Sequence, residues 1–113
     1  MDSLTMVRKL EAARRLRARL KVEAAEAWAA YYRACDKAED GAPDPVTGGI
    51  PANVQANIER LGAWAEAVEA EYQKAYRLEG MLAAAILWPE KATESMEDYR
   101  DLFTPMVAQL EAV

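Results

Sequence analysis

The sequence predicts an all-α protein built as a long antiparallel two-helix hairpin, followed by a shorter C-terminal helix. Three observations predict it. Ala is the commonest residue, at 24 of 113, and Leu, Glu, Arg and Lys are also plentiful; all are strong helix formers. Residues 40–51 hold three of the five prolines and three of the five glycines, so helix cannot continue through them. On both sides of that stretch, apolar residues recur in steps of three and four, the period of one buried helical face.

The first helix is expected over residues 3–39, with Asp2 or Ser3 as its N-cap. Its apolar stripe reads Met6, Leu10, Ala13, Leu16, Leu20, Ala24, Ala27/Trp28, Tyr31 and Cys35. The second is expected over residues 52–88, where Pro89 stops it. Its stripe reads Val54, Ile58, Leu61, Trp64/Ala65, Val68, Tyr72, Ala75/Tyr76, Leu82 and Ile86. Segments of equal length joined by a short loop fold back on each other. A register in which position i faces position 92 − i lays stripe on stripe: Tyr31 on Leu61, Trp28 on Trp64, Leu20 on Tyr72, Leu16 on Tyr76 and Leu10 on Leu82. A shift of about one heptad matches nearly as well, so the loop length selects the register.

Glu79 interrupts the second stripe opposite Ala13, with Arg14 and Arg17 within one turn. A carboxylate there is costly to bury alone, so an internal ion pair of Glu79 with Arg14 or Arg17 is expected. The third helix is expected over residues 93–112, capped by Thr93 or Ser95 and kinked by Pro105. The chain has room for a single helical domain.

Residues 81–88 are apolar on every side of the helix, and such a helix must be covered. Leu78, Met81, Leu87 and Trp88 on the second helix, with Met96 and Phe103 on the third, are therefore expected at an oligomer or partner interface. Self-association removes this exposure most simply, and a dimer is the commonest form.

Composition narrows the chemistry. Without histidine, the chain lacks the commonest general base and the commonest transition-metal ligand. A single cysteine, Cys35, allows no intrachain disulfide and no thiolate zinc site, and it falls on the apolar stripe. No glycine-rich phosphate loop is present, because the glycines at 48 and 49 lack the following Lys-Ser/Thr. No catalytic residue, cofactor or metal site is expected, and the protein is not expected to be an enzyme.

Charge is unevenly placed. Residues 1–37 hold nine Lys/Arg against five Asp/Glu, whereas the whole chain carries −5. Arg8, Arg15 and Arg19 share the outer face of the first helix and form a candidate anion-binding ridge for nucleic acid or a nucleotide. Against that stand the acidic total and the absence of aromatic residues among these arginines. The leading expectation is a non-catalytic interaction or structural protein, with a second copy and an unidentified protein as partners. Small acidic helical chains of this kind are common among virus- and mobile-element-encoded accessory factors and inhibitors of host proteins. Anion binding is the alternative. The residues 1–4 show no basic-then-apolar leader, and no apolar run approaches the ~20 residues of a membrane span, so a cytoplasmic setting is expected.

Overall fold

The computed structural model describes residues 3–88, and within them the chain is two α-helices without strands. Helix α1 is Ser3–Asp40 and α2 is Ala52–Leu87, of 38 and 36 residues. The third helix expected over 93–112 lies outside the described residues. Two helices packed against each other are the hairpin that the spacing of apolar residues predicts.

The connection is ordered by its own hydrogen bonds. Asp44 N–H donates to the Gly49 carbonyl, and Gly48 N–H donates to the Asp44 carbonyl, both at 2.8 Å. The Asp44 carboxylate accepts from Val46 N–H at 2.7 Å and from Thr47 N–H at 3.1 Å. This is the Asx arrangement by which an aspartate side chain closes a turn on the backbone that follows it. Gly48 has φ +74°, the left-handed region in which a Cβ would be strained. Helix α2 then starts with Gln55 N–H donating to the Pro51 carbonyl at 2.9 Å.

Both helices run through two compact units, each described by itself. Among the described residues, the terminal unit comprises 3–20 with 71–88, and the loop unit 21–70. In the terminal unit Leu10, Ala12, Ala13, Leu16 and Leu20 of α1 pack with Ala75, Leu78 and Leu82 of α2. Tyr72, Met81, Ala83 and Ile86 lie partly buried against this core. In the loop unit the buried apolar residues are Ala24, Ala27, Ile58 and Ala65.

Where the expected stripes name two neighbours, the smaller one is innermost, and the register pairs name the ring. The register sets Trp28 on Trp64, but Ala27 and Ala65 are the residues fully buried, and Trp64 is 46% exposed. It sets Leu16 on Tyr76, but Ala75 is fully buried and Tyr76 is 57% exposed. Cys35, assigned to the core, is only half-buried. The physical reason is the distance between helix axes. Small residues on the seam let backbones approach toward the ~8 Å end of the usual range, while bulky rings there would force them apart. The rings therefore settle beside the seam. Where a ring of α1 does meet α2, the facing residue is a glycine: a Cβ added at Gly62 would meet the Tyr31 ring at 3.1 Å.

Candidate functional site

Side chains of possible functional weight fall in four places, the first three of them read from the sequence. The first is the carboxylate in the terminal unit. Glu79 Oε1 stands 3.4 Å from Arg14 Nε, and Glu79 Oε2 pairs with Arg17 Nε. Both arginines thus converge on one carboxylate. Arg17 Nε is buried, and the Glu79 carboxylate beside it balances the guanidinium charge. The Arg17 guanidinium also sits 6.0 Å from the centre of the Tyr76 ring, within cation–π range. Glu79 itself is partly exposed, on the flank of the seam rather than at its centre. The seam runs instead through Ala75, Leu78, Leu82 and Ala85, in steps of three and four.

The second is the arginine ridge. Arg8, Arg15 and Arg19 are all exposed on α1 in the terminal unit. Their spacing of seven and four residues keeps them along one line of the helix.

The third is the expected interface set, which divides. Leu78 is instead only 3% exposed and belongs to the core of its own unit, and Met81 packs partly buried against that core. Leu87 and Trp88 are open, at 67% and 53% exposure. Met96 and Phe103 lie outside the described residues. The outward reading of Leu78 fails for the same reason as the inward reading of Tyr76. A shift of one residue rotates a helical position by about 100°.

The fourth place was not read from the sequence. In the loop unit a groove of about 740 Å³ opens between the last turns of α1 and the first turns of α2. Its floor includes Ala34, Ala38, Val54 and Ile58, and its polar groups are Arg33, Lys37, Asn53 and Asn57. The signal was present: Arg33 and Lys37 stand four apart just before the Pro/Gly stretch, and Asn53 and Asn57 four apart just after it.

Two groups in the loop unit have shifted acidity. The Cys35 thiol, one turn beyond Tyr31, raises the phenol's pKa above its ordinary value, first through side-chain hydrogen bonding and then through charge. Backbone N–H groups of Thr47 and Val46 lower the Asp44 pKa, because they bind the ionised carboxylate. Trp28, Tyr31 and Tyr32 form a ring cluster on α1, with centroids 5.4–6.0 Å apart. Among the described residues no group of three or more Cys, Asp or Glu side chains could hold a metal ion. Among them, too, no helix is long and apolar enough to cross a membrane.

Comparison with protein-family models, with curated proteins and with solved structures finds no match to this chain.

Proposed function

We propose that the protein acts by binding rather than by catalysis, as a homo-oligomer that engages a protein partner in the cytoplasm. One observation carries this reading. The terminal unit leaves Leu4, Val7, Leu87 and Trp88 exposed. In the hairpin register Leu4 lies six residues beyond Leu10, and Trp88 six beyond Leu82, so these apolar groups gather at one end. Exposed Trp and Leu in such a group favour removal from water by association. The occupant we assign is a second copy of the chain, because a two-fold contact would cover the same surface on both subunits at once. The lone, half-buried Cys35 fits a reducing compartment.

Sedimentation equilibrium over a range of protein concentrations tests the reading. A dimer that dissociates when Leu87 and Trp88 are replaced by Asp and Ala is the expected result. A monomer at every concentration would end it.

A second reading, anion binding by Arg8, Arg15 and Arg19, is favoured by their exposure along one line of α1. It requires binding of single-stranded DNA or RNA that weakens steeply with salt. Unchanged electrophoretic mobility of either nucleic acid at low salt counts against it.

A further inference from the structure

The groove of the loop unit is positive in a chain whose net charge is negative. The protein carries −5 overall, yet Arg33 and Lys37 line the groove and no Asp or Glu does. Neither cation forms an ion pair among the described residues. Like charges four residues apart on a helix repel each other slightly. Lys37 also lies in the last turn of α1, where the helix terminus favours a cation, so the pair is held in place, and a carboxylate arriving between them relieves the repulsion. Across the groove, Asn57 Oδ1 accepts from Arg60 Nη2 at 2.8 Å, which leaves the amide N–H groups of Asn57 available. Asn53 offers a second carboxamide one turn earlier. The floor between these two polar walls is apolar.

We propose that this groove binds an acidic peptide segment in extended conformation, with carboxylates at positions i and i+2. The spacing supports it. Four residues of helix rise about 6 Å. Alternate residues of an extended chain lie about 6.6 Å apart and point to the same side. Two carboxylates so spaced reach Arg33 and Lys37 together. The carboxamides of Asn53 and Asn57 can donate to and accept from the peptide backbone, whereas an ionised phosphate would only accept. Val54 and Ile58 receive small apolar side chains of the intervening residues. No aromatic residue lines the groove, so it lacks the stacking surface that single-stranded nucleic acid uses. This site is separate from the self-association proposed above and does not depend on it.

The test is fluorescence anisotropy of a labelled Glu-Ala-Glu-Val-Glu peptide titrated with the full chain at low and at physiological salt. Saturable binding is expected, absent for a Lys-Ala-Lys-Val-Lys peptide. The Arg33→Gln/Lys37→Gln variant keeps good helix formers and should weaken binding about tenfold or more. A Lys21→Gln/Arg77→Gln variant, which removes the same charge at exposed positions away from the groove, should bind as the unaltered protein does. The proposal is overturned by any of three results: no saturation at low salt, equal affinity of the Arg33/Lys37 variant, or complete displacement by an oligonucleotide or inorganic phosphate at concentrations where free glutamate has no effect.

Discussion

The two units use the same two helices and pack them differently. In the terminal unit five leucines, at 10, 16, 20, 78 and 82, fill the seam. In the loop unit the buried residues are three alanines and Ile58, and the large side chains Trp28, Tyr31, Tyr32 and Trp64 stay partly or largely in water. A fully buried Leu contributes roughly 1.5–3 kcal/mol, and each buried methylene about 0.8 kcal/mol, so alanine contributes much less. The comparison teaches that a continuous helix need not be evenly stabilised. The terminal unit is held by volume, and the loop unit by close backbone approach, ring contacts and a hydrogen-bonded turn.

Substitutions in the two cores break this comparison most sharply. Leu82→Ala in the terminal unit should cost about 2–5 kcal/mol, and Ile58→Val in the loop unit about 0.5–1.5 kcal/mol, read as shifts of the urea midpoint. Equal losses from matched Leu82→Ala and Ile58→Ala changes would mean that the loop unit is packed as tightly as the other. Native-state hydrogen exchange sharpens the same point. Amides of residues 21–40 and 52–70 should exchange before those of residues 8–20 and 71–85.

A smaller effect is expected at the internal charges. Glu79→Ala leaves Arg17 Nε buried without its carboxylate and should destabilise by about 1–2 kcal/mol, discounted because Arg14 is more than half exposed. Glu79→Ala combined with Arg17→Met should recover part of that loss in thermal melts, since an apolar side chain leaves no stranded cation.

The two glycines of α2 separate the units again. Nothing lies within 4 Å of a Cβ added at Gly80, so Gly80→Ala should stabilise by up to about 1 kcal/mol through helix propensity. At Gly62 the same methyl would meet the Tyr31 ring at 3.1 Å, and Gly62→Ala should gain less or turn destabilising. Denaturation midpoints of the two variants decide it.

The smallest effect concerns the turn. The Asp44 carboxyl has a lowered pKa in the folded chain, so its ionised form is bound more tightly folded than unfolded. Its contribution is present above the ordinary carboxylate range and is lost as pH falls through the folded value. The unaltered chain should therefore exceed Asp44→Asn in stability near neutral pH, and the difference should fade on acidification.

Much of this arrangement was legible in the residues. The proline and glycine cluster located the connection, the three-and-four spacing located both helices, and register arithmetic placed Glu79 beside Arg14 and Arg17. What was not legible was which of two neighbouring residues sits innermost. Periodicity fixes a helical face to within about one residue. The choice of Ala65 over Trp64, or Ala75 over Tyr76, depends on how closely the axes approach, which spacing along one chain does not encode. The groove escaped for a related reason. Its walls come from residues sixteen or more positions apart in the chain, and each wall alone resembles an ordinary solvated face.

The self-contained turn also bears on the order of events when the chain folds. Its hydrogen bonds join residues within 44–49, so they can form before any helix pairs. The chain linking Leu16 to Leu78 is about twice as long as that linking Tyr31 to Gly62, and each doubling adds only about 0.6 kcal/mol to closure. That modest handicap still ranks the contacts. Zippering should therefore begin beside the bend, among the alanines and rings, with the leucines locking last; φ-values near one at Leu16 and Leu82 would overturn that order.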